Sequence, residues 1–298
     1  MVNATSGFAE LLDTSIHRVY LDTRRERPLE FRELLNVDNM PHQNMKDQEF
    51  AGLGTMPSKP EGTQFTLDQP IAGGNVTYTA VPYGLAMEVT FEMWDDDLFG
   101  VMGAMAQELA RSSRNRIEVD AATIFNSAFD SAVTGFDGAS LCSTTHTTPS
   151  GATQSNRPAV DVGLSLTALQ NGSQHFETLT NGRGLPMLLS PSLVVIDPAN
   201  KYVAREILGS SSKPFTANNE INSLVEDELR IFVYHYLTTS TNWFLMAGKG
   251  QHDLSFWWRN TPMFDSFDDP RTKNAVFTVY QRHTKGFGTW RGVYGSTG

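Results

Sequence analysis

The chain has 298 residues, one cysteine, 19% charged residues and a net charge of −10 at neutral pH. That length supports one large domain or two ordinary ones; the lone cysteine excludes an intrachain disulfide and a CxxC zinc ribbon; and the acidic balance argues against a dedicated DNA binder, whose affinity rests on a basic surface. The longest apolar run, Leu185 to Ile196, is broken by Pro186, Ser190 and Pro191 and falls short of the roughly 18 residues of a membrane span. The opening MVNATSGFAELLDTS has neither a positive n-region nor an apolar h-region, so the expected setting is a reducing cytoplasm.

Residues 1–46 are polar with short helical patches, Phe8, Leu11, Leu12 and Ile16 following a three-to-four spacing. From His17 to Leu34 five arginines stand against Asp22, Glu26, Glu30 and Glu33, a net of +1, which predicts a salt-bridged or solvated arm. Residues 47–84 are punctuated by glycines and by Pro57, Pro60 and Pro70, with Thr-rich strands expected at 63–68 and 75–81. Those strands are too polar to make a core, and an isolated hairpin is marginal in water. The segment is therefore expected to be an extended hairpin that lies on something else.

A strand is expected at 85–94, then a long helix over 96–133 with Asp95, Asp96 and Asp97 at its start and Gly135 beyond its end. Continuous, it would be roughly 57 Å long, which calls for an elongated body. A Gly/Ser/Thr loop follows over 134–160, then a helix near 163–181, a buried strand in LPMLLSPSLVVIDP and a short helix in ANKYVAREILGS. Strands are expected at 229–237, 243–247 and 254–259, and a terminal hairpin from 275–282 and 288–294 turning through 283–287.

Candidate chemistry is sparse. Asp95–Asp97 could bind Mg²⁺, but helix capping explains the cluster. Asp268 and Asp269 before Pro270 read as a turn. Cys142 and His146 lie in a Thr-rich loop without the context of a nucleophilic pair. The histidines show no HExxH and no zinc spacing. Ser210 and Lys213 form an SxxK without companion motifs. Phe256, Trp257 and Trp258 could stack bases, yet beside Leu254 they fit core packing. No catalytic, cofactor-binding or metal residue is assigned, and no cofactor is expected.

The order of elements resembles the tailed-phage major capsid proteins of the Hong Kong 97 (HK97-like) type. The stretches that carry the likeness are AGLGTMPSKPEG (51–62), YTAVPYGLAMEVTFEMWDDDLFG (78–100), FDGASLCSTTH (136–146) and AVFTVYQRHTKGFGTWRGVYGS (275–296), and their wording is similar to the Mu-like head-subunit branch. The resemblance implies an α+β fold with an N-terminal arm (1–46), an E-loop hairpin (47–84), a P-domain with a spine helix (85–184), an A-domain (185–270) and return strands of the P-domain (271–298). It implies hexamers and pentamers in an icosahedral virion shell around double-stranded DNA, assembled in a bacterial cytoplasm, with no membrane. A portal, a separate scaffolding protein and, on some shells, a cement protein are the implied partners; 46 residues of arm leave no room for a scaffold domain. Some relatives form Lys–Asn crosslinks, for which Lys59 could be the amine; a solubilising tip charge is the simpler reading.

Two alternatives stay open, an encapsulin-type compartment of the same fold and an acidic cytoplasmic hydrolase. One more expectation comes from charge. Residues 45–98 hold two lysines against nine acids, and residues 271–298 hold five basic residues and no acid. If one subunit's E-loop lies over its neighbour's P-domain, Glu61 and Asp68 should face Arg282, Lys285 or Arg291 of the next chain.

Overall fold

The computed structural model describes residues 6–90, 92, 100–214, 220–268 and 274–298. An N-terminal helix, α1 (Ser6–Arg25), lies along a rod helix. A short helix, α2 (Phe31–Leu34), and a strand, β1 (Asn36–Asn39), lead into two strands, β2 (Asn44–Ala51) and β3 (Ile71–Thr79), which pair antiparallel as an extended ribbon. The next strand is β4 (Val81–Val89), and the rod is α3 (Val101–Asn126), about 39 Å long.

The rod carries two apolar faces in succession. Met102, Ala106, Leu109 and Ala110, at i, i+3 and i+4 spacing, pack with Ile16 and Tyr20 of α1 and with Phe277 and Val279. Ile117, Ala121, Ile124 and Phe125 then enter the largest core, with Phe31, Leu34, Phe244, Phe256 and Trp290. One helix therefore joins two cores.

The rod is shorter than the expected span of 96–133. Its end is fixed by side chains rather than by Gly135. Asn126 donates to the Tyr236 carbonyl and accepts from the Thr238 amide, and the Ser127 hydroxyl donates to the Thr123 carbonyl. At the other end Gly100, left-handed at φ 66°, precedes the helix and supplies no side-chain cap. The capping expected of Asp95, Asp96 and Asp97 lies outside the described residues.

Beyond the rod come a small ribbon, β5 (His146–Thr147) with β6 (Thr153–Gln154), and a helix, α4 (Leu166–Thr178), whose N-cap Ser165 accepts from the Ala168 amide. Strand β7 (Pro191–Ile196), helix α5 (Lys201–Gly209) and strands β8 (Arg230–Val233) and β9 (Trp243–Ala247) follow. The long strands β10 (Leu254–Asp268) and β11 (Ala275–Phe287) and the short β12 (Val293–Ser296) complete the chain. One sheet has the order β1-β10-β11-β4 and the other β12-β9-β7-β8. All of β9 is buried, as a central strand covered on both sides requires.

Two expectations are corrected here. The terminal segment is not a hairpin turning through 283–287: β11 stays paired with β10 as far as Phe287, opposite Leu254, and β12 pairs with β9 in the other sheet. The chain leaves the first sheet because the Asp253 carboxylate accepts the Gly288 and Thr289 amides, and it turns again at Gly292 with φ 94°. Residues 63–68 form no strand, since the ribbon ladder stops at Ala51 opposite Ile71 and the prolines on either side remove donors.

Candidate assembly interface

The ribbon β2–β3 is anchored along its ladder by close approaches to the body. A Cβ on Gly74 would sit 1.8 Å from the Phe136 carbonyl oxygen, and one on Gly286 would sit 2.5 Å from the Tyr78 ring. Tyr78 packs in turn on Trp257, with centroids 4.3 Å apart. Arg291 completes the anchor. Its side chain is only 7% exposed and donates to Gln154 Oε1 (3.1 Å), the Thr180 carbonyl (3.2 Å) and Glu49 Oε1 of β2 (3.4 Å). Burial lifts the Glu49 carboxyl above its ordinary range and lowers the Arg291 guanidinium, so each partner's attraction offsets only part of the desolvation.

Beyond the ladder, residues 52–70 run without strand pairing and are held at their neck by one side chain. Arg183 donates to the Gly52 carbonyl (2.9 Å), to Asp68 Oδ1 (2.5 Å) and to the Gln69 carbonyl (3.0 Å). Asp68 Oδ2 accepts the Gly54 amide at 2.7 Å. That backbone bond and then Arg183 hold the Asp68 carboxyl below the usual range. The tip displays Met56, Phe65 and Leu67 at 91%, 81% and 94% exposure, far more apolar surface than so polar a segment requires. Lys59 lies over the Phe65 ring, 5.0 Å from its centroid.

The five residues expected at the contact are not equivalent. Glu61 is exposed at the tip, while Asp68 is engaged by Arg183 in its own chain. Arg291 is buried against Glu49, so it is not a surface cation. Lys285 lies 3.6 Å from Asp120 Oδ1. Arg282 is half-buried and reaches the Ala80 carbonyl through Nε at 3.4 Å. These internal bonds link residues 115 to 242 positions apart, which charge counts along the chain do not reveal; Arg183, the missed latch, left only a lone arginine in a Gly-flanked turn as its signal.

Asp120 is the hub of a second buried network, where the rod meets β4 and β11. Its carboxylate accepts from Arg116 at 2.6 and 3.2 Å and faces His283 Nε2 at 2.9 Å. Burial alone would raise the Asp120 carboxyl; His283, Lys285, Tyr83 and Arg116 outweigh it and hold it at about 2. Two residues earlier, Glu118 accepts the amides of Glu30 (2.6 Å) and Phe31 (3.2 Å). There burial dominates those bonds and lifts the carboxyl to about 6.

The loop motif containing Cys142 and His146 is structural. Cys142 is fully buried and burial pushes its thiol up, the reverse of an activated nucleophile. His146 is wedged between Asp137 Oδ2 (2.6 Å) and Asn156 Oδ1 (3.0 Å) and stacks on Trp290. Phe256 and Trp258 belong to the largest core and Trp257 to a smaller one, as packing predicted.

Comparison with known proteins agrees with this architecture. The sequence profile of the family described as phage capsid protein matches residues 75–296. Among curated proteins none is significantly similar. Among solved structures, the bacteriophage JBD30 procapsid aligns over 99% of this chain and 76% of its own, with TM-score 0.54 and 17% identity. The capsid of cyanophage P-SCSP1u aligns over 91% and 88%, with TM-score 0.59 and 11% identity. A virus-like particle from Pyrococcus furiosus aligns over 95% and 98%, with TM-score 0.55 and 10% identity.

Proposed function

Because the chain belongs to the phage capsid protein family, whose members are structural rather than enzymatic, we propose that this major capsid protein closes, as hexamers and pentamers, into an icosahedral shell around double-stranded DNA. Its fold is the α+β HK97-like capsid fold, and its place is the virion capsid. The observation that carries the assembly reading is the ribbon with its unladdered tip. Residues 52–70 expose large apolar side chains on a neck fixed by Arg183, an arrangement suited to burial against another chain. In this reading 1–46 is the arm, 47–84 the E-loop, 85–184 the P-domain, 185–270 the A-domain and 271–298 the return strands, with β12 crossing into the A-domain sheet. Assembly takes place in the host cytoplasm, with a portal and a separate scaffolding protein, and the four quoted stretches favour the Mu-like branch.

An encapsulin-type compartment of the same fold, packaging an enzyme, is the second reading, and the shared fold of the virus-like particle from Pyrococcus furiosus is compatible with it. Sedimenting the expressed protein and extracting the particles separates the two. A capsid made with its packaging machinery yields protected duplex DNA, whereas a compartment yields a protein cargo and no nucleic acid. A protein that never sediments as a multi-subunit particle contradicts both.

A further inference from the structure

We propose that the arginine-rimmed cleft between α1 and α3 is the docking site for an acidic peptide segment that carries an apolar anchor and belongs to a partner protein. The arm is nearly neutral by count, but its charges do not cancel in space. Asp22 is matched by Arg18 and Glu33 by Arg230, while Glu26, Glu30 (bonded to His235) and Glu118 (which spends both oxygens on backbone amides) gather on an adjoining cleft and leave this one without an acid in its lining. Arg25, Arg27 and Arg32 are exposed and make no ion pair among the described residues. Arg24 and Arg114 donate to the Pro262 and Pro28 carbonyls, bonds that do not cancel their charge, and only Arg114 also lies near the Glu118 carboxylate. All five arginines line one cleft of about 360 Å³.

The floor of that cleft is apolar. Leu21, Leu29 and Ile117 meet there, at the seam between the core under α1 and the largest core. Guanidinium forks recognise carboxylate and phosphate equally well, so the floor and the surroundings decide the occupant. A phosphodiester chain has nothing to place on Leu21 and Leu29, whereas an aliphatic side chain fits there. The adjoining cleft shares Arg27 and Arg114 and adds Arg111, itself paired with Glu108, together with Glu26, Glu30 and Glu118, so the acid-free run of arginines stops there and gives a long polyanion no continuous track. A short segment with acids around one apolar residue satisfies the rim and the floor together.

Fluorescence anisotropy on the full-length protein tests this with three probes. The first is a labelled peptide of about 16 residues with leucine at every fourth position and glutamate elsewhere, the second its Leu→Ser counterpart, and the third a duplex of about 20 base pairs. The Glu/Leu peptide should bind. Its affinity should drop at least about tenfold in the Arg25→Glu/Arg27→Glu/Arg32→Glu variant, and the Leu→Ser peptide should bind wild type at least about tenfold more weakly. Those three side chains are exposed, so the variant should keep its circular dichroism spectrum and melting temperature. Unchanged peptide affinity in the variant overturns the proposal, as does absence of binding to wild type. Tighter binding of the duplex, with displacement of the peptide, would make the cleft a phosphate site. Loss of self-association in the variant with peptide affinity intact would make the occupant a second copy of this chain. Either result also contradicts it.

Discussion

Asp120 and Glu118 sit two positions apart on one helix and are pushed in opposite directions. Asp120, held at about 2 against an ordinary 3.8, adds stability that is fully present above about pH 4 and lost as the pH falls through 2. Glu118, lifted to about 6 from 4.5, has the reverse sign. Its folded form prefers the proton, so stability declines as the pH rises from 4.5 through 6. Each is worth about 2 kcal/mol. Urea unfolding of unassembled subunits should therefore lose stability at both acid and neutral limits, and Glu118→Gln should flatten the upper limb while leaving the acid limb. Asp120→Asn should cost about 3 kcal/mol, because it strips the carboxylate from His283, Lys285 and Arg116 while only Arg116 has ready access to water. Arg291→Glu should destabilise the unassembled subunit by a similar ~3 kcal/mol, since it places two carboxylates in one buried site. An interface role alone would leave that subunit's denaturation midpoint unchanged.

At the scale of elements, the extended hairpin is fixed at two points, and each predicts a different failure. Gly74→Ala drives a Cβ into the Phe136 carbonyl, a backbone atom that cannot step aside. The ribbon base should shift at a cost of about 3 kcal/mol, with faster amide exchange along β2 and β3. Arg183→Ala removes only the neck, so exchange should rise within 52–70 while global stability changes by less than about 0.5 kcal/mol. Much of this was legible in the sequence. Glycines, prolines and threonines announced an extended hairpin but put its first strand at 63–68 where the structure has it at 44–51, and the apolar spacing announced the rod, α4, α5 and β9. What stayed hidden was set by long-range pairing. The rod ends where Asn126 meets Tyr236 and Thr238, more than a hundred residues away. The terminal strand leaves its apparent hairpin because β9 offers a partner in the other sheet. Charge clustering along the chain pointed to Lys285 and Arg291 as surface cations, but Asp120 and Glu49 come to them only through the fold.

Across the whole molecule, the rod and two sheets form a body with its own cores, and the ribbon is fastened to that body along its ladder and ends in an exposed apolar tip. On the proposed function, this tip joins subunits into a shell. Of the contact residues expected from charge, Glu61 and Arg282 remain free of carboxylate or guanidinium partners among the described residues, so any steering between chains falls to them and should weaken with salt beyond the ~8–10 Å screening length. Excising residues 55–67 keeps Gly54, Asp68 and the Arg183 neck and removes Met56, Glu61, Phe65 and Leu67. Electron micrographs of the purified wild type and this deletion, side by side, are the direct test. The wild type should show closed shells of uniform diameter, and the deletion should show a folded protein confined to monomers or isolated capsomers. Closed shells of normal diameter from the deletion, or only small discrete oligomers from the wild type, would contradict the account.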